Sequence, residues 1–336
     1  MKPTICLIPT GGTISNQSKE IGAAPIQGST QNLLRQLEDL EVHIRLEEGV
    51  LQKGSAHIVP DDWGKIAQAV ADAIYSGVEG VVILHGTDTM HYTASALSFM
   101  LRGLSRPVVI TGSMIPGMDP ESDSLFNFRN SIIVAAYGDL AEVCIVFSGD
   151  LYQKRGMIIR GVRARKVHSV AINAFDSINI PPLGYIENGE ISYTEVKARR
   201  RGKDRLQLLS QLDSNVILVK QHPGLTPSML RQFLEGASGA VIEGTGAGHI
   251  RSELIEVVAA FNRPVVMSTQ TVYGGVTWGL YASDQSYRAV NNFIPAGEMT
   301  SETALVKLMW ALGQGNDIHK TMLTNIAGEF KEATAV

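Results

Sequence analysis

The chain has 336 residues, 44% of them apolar and 18% charged, with a formal net charge of −4. That length accommodates two domains, the apolar content excludes a disordered chain, and the mild acidity points to neither nucleic acid nor an anionic membrane as partner. No apolar stretch approaches bilayer-spanning length, and the short N-terminal run is broken by Pro9 and two glycines without a cleavage-site pattern, so a cytoplasmic protein is expected.

Apolar runs at 4–8, 80–84, 107–111 and 143–147 predict buried strands. Between them, Trp63, Ile66, Ala67, Val70 and Ile74 recur at helical spacing over 61–77, with Asp61 and Asp62 placed to complement the helix dipole. Segments 90–102 and 124–137 predict further helices. Continuous Val/Ile runs separated by helices imply a mainly parallel sheet covered on both faces. Cys6 and Cys144 lie inside two of these runs and read as reduced core residues. After Asn173 the pattern changes: 180–193 is rich in Pro, Gly and polar residues and reads as a hairpin or loop. The basic cluster Lys197, Arg199, Arg200, Arg201, Lys203 and Arg205 follows and reads as a solvated linker. Alternation then resumes with strands at 216–220, 240–243 and 264–268 and helices at 226–235, 251–261 and 301–312. The expected architecture is α/β in two domains. The larger N-terminal one, 1–195, has a mostly parallel sheet flanked by helices; a linker covers 196–212; a smaller parallel α/β domain covers 213–336.

Ligands of open α/β sheets bind beyond the carboxyl ends of the strands. Two loops expected there are rich in hydroxyls and carboxylates: Thr10-Gly11-Gly12-Thr13-Ile14 after the first strand, and His85-Gly86-Thr87-Asp88-Thr89-Met90 before the second helix. Glycines allow tight turns that present backbone N–H groups, and a helix N-terminus adds partial positive charge. Each loop alone is ordinary turn and capping chemistry. Together, at neighbouring strand ends, they point to a site for a developing oxyanion or a carboxylate.

These two segments resemble the signature segments of the bacterial and archaeal L-asparaginase family. The likeness continues through 92–100, Thr111-Gly112-Ser113-Met114-Ile115-Pro116, Ser122-Asp123, Arg165-Lys166 and 181–184, and is nearest to the cytoplasmic type I enzymes. The resemblance implies hydrolysis of the side-chain amide of L-asparagine to aspartate and ammonia, or of a different or bulkier small amide. It implies Thr13 as nucleophile on a lid, with Thr87, Asp88 and Lys166 as a hydroxyl–carboxylate–ammonium relay. It places Gly12, Ser55, Gly86 and Asp88 in substrate binding, and implies a homodimer or homotetramer with sites near the subunit boundary. A threonine hydroxyl is a weak nucleophile and needs such a base. Lys166 serves as one if its proton is shared with Asp88 or its pKa is lowered by burial.

The chain departs from the type I pattern at two places. Ala23 stands where the lid carries a tyrosine, and Ala56 follows Ser55 where a polar side chain is usual. Thr269-Gln270 and Tyr281 resemble type I positions of the C-terminal domain. No cofactor is expected: Gly244-Thr245-Gly246-Ala247-Gly248 lacks dinucleotide-loop spacing. No metal is expected either, because the eight histidines show no metal-ligand spacing and two cysteines cannot build a zinc-thiolate site.

Overall fold

The computed structural model describes residues 2–11, 33–117, 119–278, 284–315 and 317–331. The chain divides into two compact units, 1–210 and 211–336. In the first unit the elements run β1 (Thr4–Pro9), β2 (His43–Leu46), α1 (Pro60–Tyr75), β3 (Gly80–Leu84), α2 (Met90–Met100), β4 (Leu101–Arg102), β5 (Val108–Thr111) and α3 (Ser124–Tyr137). They continue with β6 (Val143–Ser148), β7 (Arg155–Arg160), β8 (Ala164–Lys166), β9 (Phe175–Ser177), β10 (Gly184–Glu187), β11 (Glu190–Tyr193) and β12 (Gln207–Leu208).

Eight strands form one sheet in the order β11-β10-β7-β6-β5-β3-β1-β2. From β2 to β6 every neighbouring pair is parallel; beyond β6 the pairs are antiparallel. The parallel strands β3, β5 and β6 are buried along their whole length because helices lie on both faces. On one face Ile5, Leu7, Val82, Leu84, Val109 and Val146 pack against Phe128 and Ile132 of α3. The alternate residues, among them Ile8, Ile83 and Ile110, are fully buried on the other face, where α1 contacts β3 and α2 contacts β5 and β6. Cys6 and Cys144 are buried free thiols, and burial raises both above the ordinary cysteine value.

The segment 180–193 resolves into the β10–β11 hairpin. Its two-residue turn is Asn188-Gly189, both at positive φ (51° and 83°), the geometry that matches strand twist. At the start of α1, Asp62 does more than face the dipole. It is fully buried, accepts from the Val59 N–H at 3.1 Å, and pairs with Lys53 at 2.6 Å and Lys65 at 3.2 Å.

The basic segment read as a solvated linker is pinned to the first unit as far as residue 210. Arg201 donates to the carbonyls of Gly138, Glu79, Ala135 and Ala136 at 2.6–3.2 Å and pairs with the Glu79 carboxylate at 3.0 Å. Arg160 pairs with Glu142 at 2.7 Å and also donates to the Lys197 carbonyl, while Glu142 accepts the Arg199 N–H. A planar guanidinium spans several carbonyls at once, which the charge count of a sequence does not show.

The second unit contains β13 (Val216–Lys220), α4 (Pro227–Leu234), β14 (Gly239–Gly244), α5 (Ser252–Phe261), β15 (Val265–Thr269), α6 (Asp284–Arg288), β16 (Phe293–Pro295), α7 (Ser301–Gln314) and α8 (Ile318–Leu323). Its four strands are all parallel, in the order β13-β14-β15-β16. Helices α4 and α7 start on Thr226 and Thr300 caps, each accepting an N–H from the first turn. Lys307 and Glu329 form an ion pair at 2.6 Å with both side chains fully buried. The ammonium also donates to the carbonyls of Met322 and Thr324, and Glu329 accepts the N–H groups of Ile326 and Ala327. The whole is the fold class expected: two α/β units, the larger built on a mostly parallel sheet, the smaller wholly parallel.

Candidate active site

Adjacent parallel strands β1, β3 and β5 bring their carboxyl ends together at one edge of the sheet. Thr10, just past β1, donates its N–H and its hydroxyl to the Leu84 carbonyl, each at 2.9 Å, so the exits of β1 and β3 are tied together. Its own carbonyl accepts the Lys53 N–H at 2.9 Å. Gly12 and Thr13, and with them the lid and Ala23, lie outside the described residues.

The loop after β3 is braced from below and from the side. His85 is fully buried; Nδ1 lies 2.6 Å from the Gly86 carbonyl and Nε2 lies 2.9 Å from the Thr93 hydroxyl. A carbonyl can only accept, so Nδ1 carries the proton and Nε2 accepts from Thr93. Burial holds this imidazole down at about 4, so it is a neutral brace. Ser55, in the turn Ser55–His57, accepts the Asp88 N–H on its hydroxyl at 3.2 Å, and its carbonyl accepts the Thr89 hydroxyl at 2.7 Å. The approach is close enough to require glycine at 86: a Cβ there would lie 2.6 Å from the Ser55 hydroxyl. Ala56 and His57 are exposed beside it.

Lys166, the last residue of β8, reaches this loop. Its Nζ donates to the Thr87 hydroxyl at 2.8 Å and to Asp88 Oδ1 at 2.8 Å. Among Arg163, Arg165 and His168 it reads as a surface residue in the sequence, yet its side chain is only 13% exposed, while Asp88 is 64% exposed. The ammonium is therefore held inside and the carboxylate opens outward, where a ligand has access. The structure thus brings Ser55, Gly86, Thr87, Asp88 and Lys166 together from three separate stretches of chain.

A second layer was not legible as such. Asp123 precedes α3 and reads as a helix cap, but its carboxylate turns to the N–H groups of Met114 and Ile115 at 3.0–3.1 Å. Asn127 bridges this carboxylate, at 2.8 Å, to the Gly112 carbonyl, at 3.0 Å. Burial pushes the Asp123 carboxyl up, against the N–H groups of Ile115 and Met114. The pair shapes the loop after β5; its four-residue spacing along one helix face is the signal that could have found it. In the second unit Gln270 donates to the carbonyls of Gln221 and Glu243, and Thr269 to that of Gly246. Tyr281 lies outside the described residues. No three His, Cys, Asp or Glu side chains are grouped to hold a metal among the described residues, and no helix there is long and apolar enough to cross a membrane.

A hydroxyl, an ammonium and a carboxylate in hydrogen-bond contact at the carboxyl edge of a parallel sheet define a proton-handling centre of hydrolase type. Known proteins carry the assignment further. The asparaginase N-terminal domain pattern matches residues 4–199, and the glutaminase/asparaginase C-terminal domain pattern matches 215–322. The L-asparaginase of Thermococcus kodakarensis is 39% identical over 338 residues, covering 97% of this chain and 98% of that protein. Its solved structure superposes with a TM-score of 0.89 at 38% identity, covering 98% and 100% of the two chains. L-asparaginase I of Vibrio cholerae gives a TM-score of 0.85 at 30% identity, covering 99% and 100%. A component of the glutamyl-tRNA(Gln) amidotransferase of Methanosphaera stadtmanae is 36% identical over 339 residues, covering 98% of this chain and 77% of that protein. The chain belongs to the asparaginase family and is an L-asparaginase-like amidohydrolase.

Proposed function

We propose that this enzyme hydrolyses the side-chain amide of L-asparagine, releasing aspartate and ammonia, with Thr13 as nucleophile and Thr87, Asp88 and Lys166 as the proton relay. The observation that carries the reading is the Lys166 ammonium, 2.8 Å from both the Thr87 hydroxyl and Asp88 Oδ1. Moving one proton from Nζ to Asp88 leaves an amine able to take the Thr87 hydroxyl proton. The relay can then accept a proton and deliver it to the departing ammonia. In the first step Thr13 Oγ bonds to the carboxamide carbon, its hydroxyl proton passing through the relay to the leaving nitrogen as the C–N bond breaks and ammonia departs. In the second, water gives its OH to the ester carbon and its other proton to Thr13 Oγ, freeing aspartate and restoring the hydroxyl. Gly12, Ser55, Gly86 and Asp88 hold the substrate, the open Asp88 carboxylate facing its α-ammonium.

The exposed Ala56 favours a second reading, a different or bulkier small amide. The identity to an amidotransferase component keeps glutamine among the amides to try. Ammonia release measured across L-asparagine, L-glutamine, their D-forms and larger amides decides between them. Asparagine turnover well above all others supports the first reading; its absence beside rapid turnover of another amide leaves the second. Thr13→Ala lowers turnover about a thousandfold if the covalent route runs through it; near-normal activity would move the nucleophile to Thr87. The family resemblance further supports a homodimer or homotetramer.

A further inference from the structure

His91 stands in the first turn of α2, only 6% exposed, and is not required by the relay itself. Its ring packs on Tyr92, with centroids 4.7 Å apart, and meets Phe175 edge-on at 6.4 Å. Phe175 is the cross-strand partner of Lys166 in the β8–β9 pair. The titratable and charged groups that act on the imidazole are Arg165 and Lys166 from β8, Asp88 from the loop before α2, and His85 just past β3; the rings of Tyr92 and Phe175 lie against it. Its Nδ1 is buried and makes no hydrogen bond among the described residues.

From this geometry we infer that His91 is a positioning residue, an uncharged ring that props the β8–β9 hairpin against α2 and so keeps the Lys166 ammonium on Thr87 and Asp88. The inference rests on the relay proposed above. A buried polar nitrogen left without a partner is costly, and such groups persist where the position serves something other than stability. An aliphatic side chain would fill the space without that cost, but would not make an edge-to-face ring contact with Phe175. A cationic side chain would set a third positive charge beside Arg165 and Lys166. The imidazole avoids this, because burial first, and then Arg165 and Lys166, hold it down at about 4.

The test is the kcat and KM of ammonia release, each as a function of pH, for the full-length wild type and the variants His91→Ala, His91→Leu and His91→Phe. His91→Ala is expected to lower kcat about tenfold or more and to move a limb of the kcat–pH profile by about half a pH unit, with KM within about threefold. His91→Leu, which fills the volume and protects the fold, is expected to share most of that loss. His91→Phe, which restores a flat uncharged ring, is expected to recover both rate and profile. Unchanged kcat and pH profile in both Ala and Leu variants would overturn the inference. So would a Phe variant that folds yet stays as impaired as Ala, since the nitrogen rather than the ring would then matter. Lys166→Met separates the two levels: if it leaves ammonia release intact, the relay itself is wrong. If it abolishes release while the His91 variants are normal, only the positioning role fails.

Discussion

At the level of single residues, two histidines near the site are kept uncharged, and this has a thermodynamic consequence. His85 and His91 each drop from an ordinary 6.5 to about 4 on folding, mainly through burial. Above pH 6.5 both forms of the chain carry neutral imidazoles and the two residues contribute nothing to pH dependence. Between about 6.5 and 4 the unfolded chain binds protons that the folded chain refuses, so stability falls with falling pH, by on the order of 3 kcal/mol per histidine at most. Urea unfolding followed from pH 7 to pH 4 is expected to show this slope, and His91→Phe to reduce it; an identical slope in that variant would assign the acid sensitivity elsewhere. The relay makes a separate prediction. Lys166→Met and Asp88→Asn should each lower kcat by at least about a hundredfold, and the double variant should lose little more, because groups acting as a unit are removed once. Losses that multiply would show that the two act independently. The residue types of this centre were readable from the two loops and from Lys166. That Lys166 is sheltered was not, because burial of a lysine amid arginines depends on the β8–β9 pairing that places it.

At the level of elements, the loop after β3 depends on the close approach of Gly86 to Ser55. Gly86→Ala sets a methyl 2.6 Å from the Ser55 hydroxyl and 2.8 Å from its Cβ, and should cost about 1–3 kcal/mol of stability as well as activity. Ser55→Gly removes both obstructing atoms, so the double variant should regain most of the thermal stability if the clash is the cause. The helices and strands with sustained periodicity were legible: α3, β3 and β13 have the expected bounds, and others differ by one or two residues at their ends. What periodicity could not show were short strands such as β2, β8 and β9, which exist through their pairing partners rather than their composition. Nor could it show the fate of the basic segment. Arg201→Lys is expected to destabilise the first unit nearly as much as Arg201→Met, by about 3 kcal/mol, since a single ammonium cannot serve the four carbonyls that the guanidinium spans. Equal melting temperatures for Arg201→Met and wild type would return the segment to the role of a plain tether.

At the level of the whole molecule, the division into two α/β units followed from the break in alternation after Asn173, a signal that spans many residues and survives local error. The extent of antiparallel pairing beyond β6 did not follow, because strand direction is set by connections rather than by side chains. The proposed homodimer or homotetramer is checked by light scattering on the active enzyme over a range of concentrations; a fully active monomer throughout would contradict it. The buried ion pair of the second unit bears on how this protein ages. Lys307 is matched by the Glu329 carboxylate, and both side chains are sealed from water. Suppose a peptidase nicked the chain between Asn325 and Glu329. The cut would strip a buried cation of that carboxylate, at a penalty of about 3–5 kcal/mol. The clipped molecule would be marked for unfolding by a single cut, so cleavage at this turn and loss of the second unit's fold should proceed at the same rate.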